Sequence, residues 1–193
     1  MTRFSFEART RVLAGPGRIA DTGSAARALG AARAVLVTDP PLIEAGHAAA
    51  ARRSLEQAGV AVEIYAGSHS NPDSADADTL RAFAAPLAPD LLVGLGGGSA
   101  MDMAKAASFL LTNGGRMSDY QGYGRAEKPL LPLILIPAST GTGSEAQSYC
   151  VIADAETRAK MACGAPGAAA RAAILDPQAA LTQPRAGRGA AGF

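Results

Sequence analysis

The stretch GLGGGSAMDMAK, residues 94–105, has glycine at four of its first five positions. An apolar run precedes it and an alanine-rich stretch follows it, so the pattern predicts a buried strand, a tight turn and a helix. Backbone N–H groups at such a turn, together with the positive end of a helix, form an anion site. Glycine at 96, 97 and 98 lets a pyrophosphate approach the backbone without meeting a Cβ atom. The stretch predicts a phosphate-binding loop, with a tight turn that binds nothing as the alternative.

This glycine loop, residues 94–99, fits neither standard nucleotide motif. A P-loop requires lysine and serine or threonine after its last glycine, and this chain has no GKS or GKT. The dinucleotide fingerprint G-x-G-x-x-G fails because Ser99 stands at its third glycine. Ser99 and Asp102 have the spacing of a helix capping box, which predicts that Ser99 caps the helix.

Apolar runs alternate with helical stretches along most of the chain. Strands are predicted at residues 34–38, 60–65, 91–95 and 130–136, and helices at residues 42–58, 73–84 and 100–112. This alternation predicts an α/β fold, with a Rossmann-like parallel sheet flanked by helices. We expect one domain over residues 1–184 and an irregular tail over residues 185–193.

Three loops leave the carboxyl ends of predicted strands, where parallel sheets bind their ligands. They are the turn at Asp39, the glycine loop, and the threonine loop ASTGTGSE at residues 138–145. Each of these three loops is therefore a candidate ligand-binding loop.

Composition narrows the classes of partner. The formal net charge is +1 and 18% of the residues are charged, which predicts neither a nucleic-acid nor a membrane partner. Cys150 and Cys163 fit no zinc spacing and are expected to be buried packing residues in a reducing compartment. No signal peptide is evident at the N-terminus, so we expect a cytoplasmic protein.

Several ordered motifs resemble one family. GGGSAMDMAK, IPASTGTGSE at residues 136–145, Ser70-Asn71-Pro72, Lys160 and ILDP at residues 174–177 are similar to motifs of the iron-containing (group III) alcohol dehydrogenases. The resemblance covers about residues 4–184, the N-terminal nucleotide-binding half of that family. It implies a dehydroquinate synthase-like N-terminal domain and hydride transfer between an alcohol or aldehyde and a nicotinamide cofactor.

The resemblance also implies a set of cofactor contacts. Asp39 would hold the adenosine ribose, and its charge would favour NAD over NADP. The glycines would cradle the pyrophosphate, and Lys105 would lie near the nicotinamide ribose. The residues placed at the cofactor are Asp39, Asn71, Gly96, Gly97, Gly98, Ser99, Asp102, Ser139, Thr140, Thr142 and Lys160.

The metal of the family has no predicted ligands in this chain. Family members hold Fe²⁺ or Zn²⁺ with one aspartate and three histidines in an all-helical C-terminal domain, beginning with a D-A-x-x-H pattern. No such pattern occurs here, and neither His47 nor His69 has a partner at ligand spacing. We therefore expect no metal ligand and no helical domain, and the tail PRAGRGAAGF suggests a truncation, a frameshift or one half of a split enzyme.

Three functions remain open on this sequence. The first is an alcohol dehydrogenase by descent, catalytically incomplete in this chain. The second is a dinucleotide-binding module without catalysis. The third is a polyol or sugar-phosphate enzyme of the glycerol dehydrogenase and dehydroquinate synthase branch, against which the GTGSE sequence argues. We also expect a homo-oligomer, because the face that contacts the helical half in the family would be exposed.

Overall fold

The computed structural model describes residues 9–181, and the predicted tail at 185–193 lies outside them. Nine strands occur in this part of the chain. They are β1 (Arg11–Ala14), β2 (Arg33–Val37), β3 (Ala61–Tyr65), β4 (Leu91–Gly96), β5 (Gly122–Tyr123), β6 (Leu133–Pro137), β7 (Tyr149–Ala153), β8 (Lys160–Gly164) and β9 (Ala172–Leu175).

The same residues form six α-helices, joined in places by single turns of 3₁₀-helix. The α-helices are α1 (Thr22–Ala28), α2 (Pro40–Glu44), α3 (His47–Gln57), α4 (Ser74–Ala84), α5 (Gly98–Asn113) and α6 (Pro177–Leu181). No helix in the described part of the chain is long and apolar enough to cross a membrane.

Six strands form one parallel sheet in the order β1-β9-β6-β4-β2-β3. The strand sequences explain its burial, because alternate side chains point to opposite faces and both faces are apolar. Val35, Leu92 and Leu135 face α4 and α5, whereas Leu36 and Ile134 face α1 and α3. The predicted α/β fold with helices on both faces is therefore confirmed.

A second, three-stranded sheet has the order β5-β8-β7, with β7 and β8 antiparallel. Its inward side chains Cys150, Ile152 and Cys163 pack into the same core as α5. Both cysteines are free and buried, as predicted. The sequence did not predict this sheet. YCVIA is a short continuous apolar run, which is consistent with a buried strand, and it alternates only in the burial of its residues.

Two predicted elements needed correction. The helix predicted over residues 42–58 is two helices, because Gly46 adopts φ 82 between α2 and α3 and ends the first one. The strand predicted over residues 130–136 begins only at Leu133. Pro132 has no N–H to donate to a neighbouring strand, although its carbonyl accepts from Leu92 N.

Candidate functional site

The three candidate loops lie side by side in the structure. β6, β4 and β2 are neighbours in the parallel sheet, so the threonine loop, the glycine loop and Asp39 leave the same edge. Ala138 N donates to Gly96 O at 2.8 Å, which joins the first two loops directly. A Cβ atom built on Gly96 would lie 3.5 Å from Asp39 Oδ2, so the third loop borders them. The result is a continuous polar cleft along the carboxyl edge of the sheet.

The helix that follows the glycine loop is capped two residues earlier than predicted. The N-cap residue is Gly97, and no side chain caps the helix there. The predicted Ser99–Asp102 capping box is therefore wrong: Ser99 already lies inside the first turn, and Asp102 bonds elsewhere. The first N–H groups of this 16-residue helix remain for a ligand. This arrangement favours an anion at the glycine loop.

Glycine lets the glycine loop and the threonine loop lie close together. A Cβ atom built on Gly97 would lie 3.4 Å from Ser139 Oγ, and one built on Gly98 would lie 3.5 Å from Thr142 Cβ. The buried Ser139 hydroxyl has no hydrogen-bond partner among residues 9–181. A buried hydroxyl without a partner is costly, and a phosphate oxygen would satisfy it. The unpartnered hydroxyl therefore supports a phosphate bound beside the two loops.

Asp39 has two roles in this geometry. Its Oδ1 accepts from Leu42 N at 3.1 Å and caps α2, which confirms the interpretation as a turn residue before Pro40. Its Oδ2 faces Gly96 at the cleft. One carboxylate can cap a short helix and still accept a ribose hydroxyl, so the two interpretations are compatible.

Asn71 and Lys160 are brought together from distant parts of the chain. Lys160 Nζ donates to Asn71 Oδ1 at 3.2 Å, and both side chains are exposed. Asn71 adopts φ 54 in the loop after β3, and Lys160 begins β8. This exposed pair presents an amide and an ammonium to solvent, as a site for ribose hydroxyls requires.

Asp102 and Lys105, which the resemblance places near the nicotinamide ribose, both bond to protein groups in this structure. Lys105 is completely buried, and its Nζ donates to Ser144 O at 2.6 Å, Gln147 O at 3.0 Å and Tyr149 O at 2.7 Å. The Lys105 ammonium is thus engaged by the protein itself, and its placement near the nicotinamide ribose stays a prediction. Asp102 accepts from Ser144 Oγ at 2.5 Å and from Val151 N at 2.9 Å, so both of its oxygens have protein partners.

Burial shifts the pKa values of Asp102 and Lys105. It raises the pKa of the Asp102 carboxyl, against the lowering effects of the Ser144 and Val151 hydrogen bonds. It lowers the pKa of the Lys105 ammonium, against the raising effect of nearby Asp102. The Nζ–Oδ1 distance of 3.8 Å allows each charge to stabilise the other.

A cavity of about 360 Å³ lies between the threonine loop and the turn after β9. Ser139, Thr140 and Thr142 line one side, and Leu175 and Asp176 line the other. The cavity enlarges the cleft beside the threonine loop, where the sequence places cofactor contacts.

The histidines do not form a metal site. His69 Nε2 lies 3.1 Å from Asp76 Oδ1 at the start of α4, whereas His47 begins α3. Among residues 9–181, no group of three or more histidine, cysteine, aspartate or glutamate side chains could hold a metal ion. The described residues therefore do not fit the metal that the family uses.

A family model and several relatives match this chain. The model for iron-containing alcohol dehydrogenase matches residues 9–177. The chain belongs to the iron-containing alcohol dehydrogenase family. An NAD-dependent methanol dehydrogenase of Bacillus methanolicus is 35% identical over 88% of this chain and 45% of its own length. A choline dehydrogenase of Bacillus subtilis (strain 168) is 36% identical over 93% of this chain and 46% of its own length.

Solved structures of the family share this fold. The crystal structure of a 1,3-propanediol oxidoreductase matches with a TM-score of 0.93 and 28% identity, over 98% of this chain and 50% of its own. The sulfoacetaldehyde reductase of Bifidobacterium kashiwanohense, solved in complex with NAD⁺, matches with a TM-score of 0.82 and 26% identity, over 95% and 49%. The chain thus spans about half the length of the relatives that it matches.

Proposed function

We propose that this chain is the dinucleotide-binding part of an alcohol dehydrogenase that uses NAD. In the reaction, the alcohol carbon gives a hydride to the nicotinamide ring and the hydroxyl loses a proton, which yields an aldehyde, NADH and H⁺. The observation that carries the proposal is the meeting of Asp39, the glycine loop and the threonine loop at one edge of the sheet. Backbone N–H groups, hydroxyls and a carboxylate there match the three polar parts of a dinucleotide.

Each part of the cofactor has a candidate partner. Gly96, Gly97, Gly98 and Ser99 bind the pyrophosphate at the start of α5, and Ser139, Thr140 and Thr142 bind it from the opposite loop. Asp39 accepts ribose hydroxyls, and its charge repels the 2′-phosphate of NADP. Asn71 and Lys160 bind the second ribose. Asp102 acts on the cofactor indirectly, because its oxygens accept from Ser144 and Val151 next to the threonine loop.

The family metal supplies Lewis-acid stabilisation of the alkoxide when it is bound. Because residues 9–181 hold no group of ligands for it, we assign no step to this metal. We propose a small alcohol or aldehyde as substrate, residues 1–184 as one domain, and assembly into a homo-oligomer. The free thiols of Cys150 and Cys163 support a cytoplasmic location, where thiols stay reduced.

Titration of the purified chain with NADH tests the proposal. We expect saturable binding, seen as a change in NADH fluorescence, and competition by ADP-ribose. Absence of saturable binding would contradict the proposal. Alcohol oxidation with NAD⁺ and added Fe²⁺ or Zn²⁺ is the second measurement. Turnover supports the dehydrogenase, whereas binding without turnover favours a non-catalytic dinucleotide-binding module.

A further inference from the structure

Lys105 makes an unusual set of contacts for a buried lysine. Its side chain is 0% exposed, and its three N–H groups have four acceptors within hydrogen-bond distance, namely three backbone carbonyls and the Ser144 hydroxyl. All four acceptors belong to residues 144–149, which lie 39 to 44 positions further along the chain. Removing an ammonium from water is expensive, so a lysine is kept in such a place only when its hydrogen bonds are satisfied.

The segment that Lys105 contacts includes the outer edge of the second sheet. β7 is the terminal strand of that sheet, so some of its outward N–H and C=O groups lack a neighbouring strand. Lys105 donates to the outward carbonyl of Tyr149, and Asp102 accepts from the outward N–H of Val151. Two side chains one turn apart on α5 thus satisfy the edge that a further strand would otherwise cover.

The same contacts hold the end of the threonine loop. That loop leaves β6 and passes into a 3₁₀ turn of only three residues, Ser144–Ala146, before β7 begins. Lys105 binds both the carbonyl and the hydroxyl of Ser144, and Asp102 binds the same hydroxyl. The helix whose first turn faces the cofactor cleft therefore fixes the opposite wall of that cleft through its second turn.

We propose that Lys105 is a positioning residue for cofactor binding, because its ammonium holds residues 144–149 against α5 and so sets the gap between the threonine loop and the glycine loop. The inference rests on the proposed NAD site. Lys105 itself touches no cofactor; it keeps Ser139, Thr140 and Thr142 beside the glycine loop, where their hydroxyls can contact a pyrophosphate. Loss of this one ammonium widens or loosens the cleft while the main sheet stays intact.

The test compares Lys105→Met with Phe109→Leu in the full chain. Methionine keeps most of the length of the lysine side chain but cannot donate hydrogen bonds. Phe109 lies one turn further along α5 and packs on Tyr120, with ring centroids 5.2 Å apart, away from the threonine loop. NADH dissociation constants are measured well below the melting temperature of each variant, and amide hydrogen exchange is followed over residues 138–149.

We expect Lys105→Met to bind NADH about tenfold more weakly and to exchange faster over residues 138–149. Phe109→Leu should melt at a lower temperature yet bind NADH within about twofold of the unchanged chain. If Lys105→Met does not fold, Ser144→Ala replaces it, with an expected loss of about three- to fivefold in affinity.

Different outcomes would overturn the role of Lys105 and the proposed NAD-binding function. No NADH binding by the unchanged chain contradicts the proposed function itself. The role of Lys105 alone is overturned if the unchanged chain binds NADH and the folded Lys105→Met variant binds it within about twofold as tightly. The same holds for Ser144→Ala where that variant replaces Lys105→Met. An equal loss in Phe109→Leu also overturns it, because general destabilisation would then explain the effect.

Discussion

The glycine loop and the threonine loop leave neighbouring strands of one sheet, but different interactions fix their positions. The glycine loop runs directly into α5, a 16-residue helix of which ten residues are buried. Gly94 in β4 lets that helix pack closely on the sheet, since a Cβ atom there would lie 3.0 Å from Met101 Cα. Local sequence and core packing are enough to position this loop.

The threonine loop has no such helix behind it. It runs into a single 3₁₀ turn and then into the edge strand of a small sheet. Its position depends on Lys105 and Asp102, which come from another element and bond mainly to backbone groups. A short loop that faces a ligand can therefore be held in place by the helix that follows it, as in the glycine loop. It can also be held by buried charged side chains from another element, as in the threonine loop.

Of the substitutions that test this difference between the loops, Gly98→Ala is expected to have the largest effect, a loss of NADH affinity. The new methyl group would enter the gap beside Thr142 without touching the protein closer than 3.5 Å. We expect NADH affinity to fall by about 10- to 100-fold, because the methyl group displaces the phosphate from the backbone. The melting temperature should stay unchanged or rise slightly, since alanine is favoured over glycine in a helix.

Fluorescence titration and thermal melting of Gly98→Ala together check that expectation. A variant that melts lower and binds NADH normally would show that Gly98 serves packing rather than the cofactor. Gly97→Ala is the matched second variant, because its methyl group would point at the unpartnered Ser139 hydroxyl.

Gly94→Ala should have the next largest effect. It should lower the stability of the fold and leave NADH affinity nearly unchanged, the opposite of Gly98→Ala. Its Cβ atom would press on Met101 Cα, on Ala104 Cβ at 3.2 Å and on the end of Leu135. Overpacking of this kind costs about 1–3 kcal/mol in the free energy of unfolding. Denaturant unfolding measures the loss, and the folded variant should bind NADH nearly as well as the unchanged chain. A large loss of affinity without loss of stability would place Gly94 in the cofactor site instead.

The sequence predicted the glycine loop better than the threonine loop for a physical reason. Glycine, apolar runs and a helical stretch are local signals, and they placed β4, the turn and α5 within two residues of their observed bounds. Ser99 was mistaken for the cap because its side chain has the right spacing, yet the backbone already turns at Gly97. Motif spacing locates such a loop without resolving which residue ends it.

The role of Lys105 could not be predicted from the sequence. Its partners are mostly backbone carbonyls, which every residue carries, so no residue type marks the segment that it contacts. The pairing of Lys160 with Asn71 is also hidden, because the two are 89 positions apart. By contrast, Asp39 could be placed at the cleft, since it directly follows a buried strand.

Asp39→Asn should have the smallest effect and tests the third loop of the cleft. Asparagine can still accept from Leu42 N and cap α2, so stability should hardly change. It removes the charge that repels a 2′-phosphate, so we expect NADH to bind about fivefold more weakly and NADPH to bind more tightly. Dissociation constants for both cofactors measure the ratio. Asp90→Asn is the control, because Asp90 accepts from Ala32 N and Arg33 N at the start of β2, at the opposite edge of the sheet. An equal change in the control would mean that net charge, rather than the position of Asp39, sets the preference.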